Sequence, residues 1–295
     1  MKRGKIQAGT FTLIALAIFS LLAITASAQR RPASTTRRPA ARVPVAPPAV
    51  LSNVDTLVSI RRKGVLNVGF ASFVPWAMRD KDDNWIGFEI DVAKKLAEDL
   101  GVELKLMPAG QSALIGDLMS RRFDILITGM YPTPQRALLV NFSEPYSRSK
   151  VELIASRDKM RGKGDEKDYN ESDVVIGVVS GTVYDDLAKA RFPRARIQYF
   201  DDEAAMMEAV GSGSINAAMA STPGPEFAMK HGGARIFRPL ADPMQTMDES
   251  FVIRKGDVDF LNYLNTWIRY YERSGWLKER RKYWFDDTEW AASLQ

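Results

Sequence analysis

Cysteine is missing from all 295 residues, and histidine occurs once, as His231. The first absence excludes disulfides, thiol catalysis, thiolate metal sites and a lipid-modified cysteine behind a leader. The second excludes the usual zinc site and a histidine-based triad. His231 stands in KHGGAR, which reads as a helix end, where glycine stops the helix and a cation suits its dipole. No metal and no cofactor is expected. Long apolar runs are missing too: beyond Ile24 none approaches the ~20 residues that span a bilayer. Acids are absent from the first fifty residues, which hold eight of the 41 Lys and Arg, so the remainder carries 33 basic against 36 acidic side chains. The alkaline pI therefore belongs to the N-terminal stretch. The folded part is slightly acidic, which removes the main support for nucleic-acid binding.

That stretch has two parts. Lys2, Arg3 and Lys5 precede an apolar run, Phe11 to Ile24, broken only by Thr12 and Ser20, and Ala26-Ser27-Ala28 fits a small-residue cleavage site. The run is too short for a membrane span, so residues 1–28 read as a signal peptide cleaved after Ala28, with export to the periplasm. Residues 29–50, QRRPASTTRRPAARVPVAPPAV, offer no face that packs and read as a disordered Pro/Arg/Ala-rich linker.

The remaining ~245 residues suit two domains. Short apolar runs alternate with amphipathic stretches, the pattern of an α/β chain. Strands are expected at 65–70, 102–107, 123–128 and 151–156, then at 174–179, 196–200, 215–220 and 251–254. Helices are expected at 53–62, 89–100, 112–120, 183–190 and 202–210, after Pro223, and over 257–274 and 276–284. The charged stretch 157–173, RDKMRGKGDEKDYNESD, reads as an exposed loop. Two α/β lobes follow, with two crossing hinge strands near 151–156 and 251–254. Lobe 1 comprises 51–153 and 251–295, and lobe 2 comprises 154–250.

Arg136 follows the turn TGMYPTP at the end of a buried strand. It is either an ordinary surface charge or a fork for a carboxylate, which arginine grips with two parallel hydrogen bonds at any relevant pH. Gly129 in that turn lets backbone N–H groups approach an anion. Ser180-Gly181-Thr182-Val183 opens a helix, whose N-terminus favours negative charge; a plain N-cap is the simpler reading, and both are compatible. Glu89 and Asp91 in GFEID fall at a helix start, where acids satisfy free N–H groups. Phe142, Pro145 and Tyr146 read as shaping a turn before the hinge.

Several segments together resemble the periplasmic solute-binding proteins that serve ABC importers of polar amino acids. They are LNVGF…FVPW (66–76), WIGFEIDVAKKLAEDLGVELKLMP (85–108), ALIGDLMSRRFDILITGMYPTPQR (113–136), VNFSEPYSRSKVELIAS (140–156), VIGVVSGTVYDDL (175–187) and FVIRKGD with the terminal helices (251–286). The resemblance implies the two-lobed periplasmic binding protein fold, with ligand held at the lobe interface. It implies that Arg136 grips the ligand's carboxylate beside Thr128, Gly129 and Tyr131, and that Thr182 and Val183 contribute from the second lobe. Phe73 matches a stacking aromatic, with core packing as the alternative, and Trp76 reads more readily as core. Two positions depart from the family. Ser221 stands where an acid takes the ligand's ammonium, and Gln111 stands where an aromatic wall is common. The ligand is thus a carboxylate lacking an α-ammonium, or an amino acid held by neutral acceptors; Glu226, the nearest acid in the local sequence, is too remote.

The function so implied is a monomeric, non-catalytic binding protein for a small carboxylate, partnered by an inner-membrane permease. The alternative is a dehydratase on the same scaffold, which requires a desolvated acid in the cleft.

Overall fold

The computed structural model describes residues 55–231, 235–287 and 290–291, apart from the side chains of 227, 228, 230 and 231. The leader, the linker, the first residues of the 53–62 helix and the His231 side chain lie outside them. Among the described residues no helix is long and apolar enough to cross a membrane.

Asp55 accepts a hydrogen bond from the Val58 N–H and starts α1 (Thr56–Lys63), which ends on Gly64 at φ 70°. A cap of this kind contributes about 1 kcal/mol. Strand β1 (Val65–Phe70) follows, then a small ribbon of β2 (Met78–Arg79) and β3 (Trp85–Ile86). Helix α2 (Phe88–Leu100) buries Ile90, Val92, Ala93, Leu96, Ala97 and Leu100, the spacing of one helical face, and stops at Gly101 in the left-handed region. Next come β4 (Glu103–Pro108), α3 (Leu114–Met119), β5 (Ile125–Leu126) and α4 (Pro134–Ala137). Strand β6 (Val140–Ser156) leads into the second half, which holds α5 (Arg157–Met160), β7 (Val175–Val179), α6 (Tyr184–Arg191) and β8 (Arg196–Phe200). It continues through α7 (Glu203–Gly211), β9 (Ala217–Ser221), α8 (Gly224–His231) and β10 (Ile236–Phe237). Strand β11 (Gln245–Arg254) returns to the first half, closed by α9 (Val258–Arg273), α10 (Trp276–Arg281) and a π turn at Lys282–Asp286.

The strands run in the order β4-β1-β5-β11-β6-β9-β7-β8, with β10 on β6. At one end β1 pairs in parallel with β4 and β5; at the other β7 pairs in parallel with β8 and β9. Between them β6 and β11 are antiparallel. The start of β6 lies beside Arg254 and Ile253 in the first half, and Val151–Ala155 pair with β9 in the second. These are the two strands that cross between the lobes of an α/β two-lobed binding-protein fold.

Side-chain alternation packs helices on both faces of each half. Ile125, Ile127, Phe251 and Ile253 face α2 and α9, whereas Leu126 and Val252 face α3. In the second half Leu153 and Val178 lie with Ala188 of α6, and Ile154 and Val179 with Met206 and Val210 of α7.

Four expectations require correction. The crossing strands are longer than 151–156 and 251–254, reaching back to Val140 and Gln245. Phe142, Pro145 and Tyr146 shape no turn and lie inside β6; Pro145 is tolerated because the β6–β11 register shifts on both sides of its partner Ser250. Residues 157–173 are not a free loop, since α5 and a 3-10 turn at Glu166–Tyr169 pin buried Met160 and Tyr169 into the second core. Glu89 and Asp91 do not cap α2, whose N-cap is Gly87 without a side-chain bond. Asp91 accepts from the Trp284 indole, and Glu89 is buried.

Candidate functional site

The C-terminal ends of β1 and β5 meet at the turn 128–131, which is where open parallel sheets place ligands. Thr128 Oγ1 accepts from the Ala71 N–H at the end of β1, 3.1 Å away. Gly129 takes φ 57° and donates its N–H to the Tyr146 hydroxyl at 3.1 Å. That hydroxyl in turn donates to Glu89 Oε2 at 2.6 Å. Helix α2, strand β6 and the turn are thereby tied through one phenol. Thr133 then caps α4 by accepting from the Arg136 N–H, with Pro134 in the first helical position. This short TPQR helix fixes where the guanidinium emerges.

Arg136 Nη1 donates to the Tyr131 carbonyl and Nη2 to the Gly181 carbonyl, both at 2.8 Å. The second bond reaches across to the other half of the molecule. Two of the five guanidinium N–H groups are thus spent on neutral carbonyls, leaving three. No acid lies within ion-pair distance of Arg136 among the described residues. Burial pulls its pKa down, opposed by the more distant charge of Asp186.

From the second half comes the loop between β7 and α6. Gly181 sits at φ 79°, and a Cβ there would lie 2.8 Å from Ser112 Cα and 2.9 Å from Ser112 N. Only glycine permits this approach of two backbones. Thr182 Oγ1 donates to the Val179 carbonyl and accepts from the Tyr184 N–H, so its hydroxyl is committed to the loop.

Phe73, Trp76, Gln111, Thr128, Gly129, Tyr131, Arg136, Thr182, Val183 and Ser221 all line one cavity, with about 410 Å³ of free space including its mouth. Every sequence-derived candidate is therefore in one place. Trp76 is both core and wall: it is buried, it packs on Phe285 at 5.2 Å between ring centroids, and it borders the cavity. Half-buried Phe73 packs against clusters of both halves. The Gln111 amide oxygen is buried without a hydrogen-bond partner. Ser221 lies beside the phenols of Tyr131 and Tyr184, and Tyr131 shares a 2.8 Å hydrogen bond with Ser149. Burial pushes the Tyr131 phenol up to about 12. Glu226 is elsewhere, paired with Arg238.

Met130, Tyr184 and Glu249 complete the lining and escape the sequence reading. Glu249 matters most, because it is an acid, 1% exposed, on β11 of the first half. Burial holds its carboxyl above the usual range, against the pull of Ser147, Ser149, Arg281 and Trp76. A period-two count back from Ile253 and Phe251 reaches it, so the signal is present. It is missed because the apolar run stops at Phe251.

The two-lobed α/β fold with a polar, arginine-bearing cleft defines a class of ligand-binding proteins, and comparison with known proteins gives the family. The model of bacterial extracellular solute-binding proteins, family 3, matches residues 66–287, and the chain belongs to that family. Cyclohexadienyl dehydratase of Pseudomonas aeruginosa is 27% identical over 239 residues, covering 77% of this chain and 85% of the relative. A crystal structure of an ancestral amino acid-binding protein, a precursor of cyclohexadienyl dehydratase, matches with TM-score 0.72 and 31% identity over 79% of this chain and 100% of that one. A putative ABC-transporter binding component from Wolinella succinogenes, complexed with lysine, matches with TM-score 0.73 and 31% identity over 78% of this chain and 99% of that one.

Proposed function

We propose that this chain is the substrate-binding component of an ABC importer, exported to the periplasm. It captures a small carboxylate, an amino acid or a related organic acid, between its halves and delivers it to an inner-membrane permease. It acts as a monomer without catalysis. Residues 1–28 are a leader cleaved after Ala28 and 29–50 a linker; lobe 1 is 51–153 with 251–295, and lobe 2 is 154–250. The observation that supports this reading is Arg136. A guanidinium in a cleft, oriented by two carbonyls and with no acid at ion-pair distance among the described residues, has three N–H groups for a carboxylate. Desolvation within the cleft strengthens that pairing, and micromolar affinity needs only about −8 kcal/mol.

Closure is where Gly181 acts. Alanine at 181 places its Cβ against the Ser112 backbone and strains a positive φ, at a cost of about 1–3 kcal/mol. Gly181→Ala is expected to weaken ligand binding by about tenfold or more in calorimetry. It should also leave the protein more open in small-angle scattering with saturating ligand. Wild-type affinity in that variant would contradict the contact.

A second reading is favoured by Glu249, a buried acid of raised pKa inside the cavity, the kind of group an elimination uses to protonate a leaving hydroxyl. The resemblance to cyclohexadienyl dehydratase points the same way. Calorimetry and product analysis separate the two. The transport reading expects stoichiometric binding of amino acids or organic acids and no turnover of cyclohexadienyl carboxylates. Catalytic turnover of those compounds would establish the second reading.

A further inference from the structure

Arg136 takes its direction from a turn that is itself fastened to the crossing strands. Its Nη1 donates to the Tyr131 carbonyl, so the guanidinium follows the backbone of residues 129–131. Each of these three residues is tied to β6 or β11. The Gly129 N–H donates to the Tyr146 hydroxyl on β6 at 3.1 Å. The Met130 carbonyl accepts from the Ser250 N–H on β11 at 3.2 Å, and the Tyr131 hydroxyl shares a 2.8 Å bond with Ser149 on β6. Ser250 is the partner of Pro145, and the β6–β11 register shifts on both sides of it. The turn is thus held where the ladder between the crossing strands is interrupted.

The Tyr146 tie is set from a third element, α2. A phenol has a single proton to donate. Glu89 Oε2 accepts that hydrogen bond at 2.6 Å, which leaves the phenol oxygen's lone pairs for the Gly129 N–H. The ring is buried, stacked on Phe251 at 4.3 Å and on Phe88 at 6.1 Å between centroids. Packing therefore fixes the ring, and the hydroxyl supplies the two hydrogen bonds. Phenylalanine at 146 keeps the first contribution and removes the second. The Gly129 N–H and Glu89 Oε2 then lose this partner, and buried polar groups left in that state are costly. Movement of the turn relieves the cost, and Gly129, at φ 57°, has the backbone freedom for it.

We infer that Tyr146 is a positioning residue for ligand capture, its hydroxyl clamping the turn so that the Tyr131 carbonyl aims Arg136 at the ligand's carboxylate. The inference rests on the reading of Arg136 as the carboxylate fork. Tyr146 stands outside the cavity lining and acts through Gly129 and Tyr131. The clamp also gives β6 a second task, because bending of this crossing strand is passed to the turn and so to the fork.

The clamp is read first without ligand, by amide hydrogen exchange in the full chain. Tyr146→Phe is expected to speed exchange at Gly129 by about tenfold or more, while amides in the centre of β1 change by less than about threefold. A general loss of stability would speed all of them alike. Unchanged exchange at Gly129 overturns the inference. Binding is then read by calorimetry, with the compound that gives the largest shift in a thermal-shift screen of the standard L-α-amino acids and simple monocarboxylates. Tyr146→Phe is expected to weaken binding about tenfold in the wild-type background. Arg136→Lys keeps the charge and lacks the fork, so it should itself bind more weakly. In that background the loss from Tyr146→Phe should shrink below about twofold, because no fork is left to aim. An equal loss in both backgrounds marks a general structural effect and overturns the inference. Wild-type affinity in Tyr146→Phe, beside a weakened Arg136→Lys, overturns it and leaves the fork reading standing. Wild-type affinity in Arg136→Lys removes the fork reading, and the inference with it.

Discussion

Arg136→Ala is expected to abolish the ligand-dependent rise in melting temperature and to weaken binding by roughly 10²–10⁴-fold. The magnitude follows from removing one partner of a desolvated ion pair, which costs about 3–5 kcal/mol because the ligand carboxylate then sits in the cleft uncompensated. The free protein should hardly notice. In it Arg136 is only half-buried and bonds to two carbonyls that water reaches once the side chain is gone. A loss near ~1 kcal/mol would lower the melting temperature by about 2–4 °C in a chain of this size. Differential scanning fluorimetry with and without ligand reads both quantities. A variant that keeps the full ligand shift would assign the carboxylate to another group.

The second large effect concerns Glu203, in the first turn of α7 and outside the cavity. Burial pushes its carboxyl up to about 8, against the opposing pull of the Val74 backbone. A Cβ on Gly224 would lie 2.9 Å from its Oε1, so the carboxyl is confined from that side as well. The unfolded chain ionises this group near the ordinary value of 4.5, whereas the folded protein holds the proton until about pH 8. Between those limits the folded state binds more protons, so stability falls as pH rises and levels off above the folded pKa. The full displacement corresponds to ~5 kcal/mol, a large share of the 5–15 kcal/mol typical of a folded domain. Glu203→Gln, neutral at every pH, should remove this slope. Its denaturation midpoint should lie near that of the wild type at pH 5 and well above it at pH 9. Glu89 and Glu249, whose pKa values are also raised, contribute slopes of the same sign. They remain in both proteins and cancel in the comparison. Parallel stability curves for the two proteins from pH 5 to 9 would mean that Glu203 is charged without penalty.

Much of the architecture is readable from periodicity. Strands 65–70 and 196–200 are continuous apolar or alternating runs, and they appear with those bounds in the structure. Helix α2 carries its apolar stripe at helical spacing and stops at a glycine. What escapes are stretches whose conformation is set by partners far away in sequence. Residues 140–150 carry a proline and several polar side chains, and only their ladder with β11 makes them a strand. The corresponding part of β11, Gln245–Ser250, is equally polar and is held by the same ladder. Glu249 escapes for that reason, since a strand that seems to begin at Phe251 gives an acid at 249 no face to occupy.

Glu89 shows the converse failure. Helix-start chemistry is a sound reason for an acid in the first turn, but docking of α2 against the turn 128–131 turns this side chain inward. There it holds Tyr146, and through it Gly129. Arg136, Gly129 and Thr182 are legible because turn chemistry and family resemblance both mark them. The setting of the cleft, Arg136 on one wall and the buried acid Glu249 on another, becomes visible only when separated segments are brought together.

A crystal structure of the full chain with the best ligand from the screen decides the assignment. The expected result is a ligand carboxylate held by two nitrogens of Arg136 at about 2.7–2.9 Å. The Gly181 loop should close over it from the second half. A ligand whose carboxylate lies against other residues, with Arg136 still bound only to the carbonyls of Tyr131 and Gly181, would contradict it.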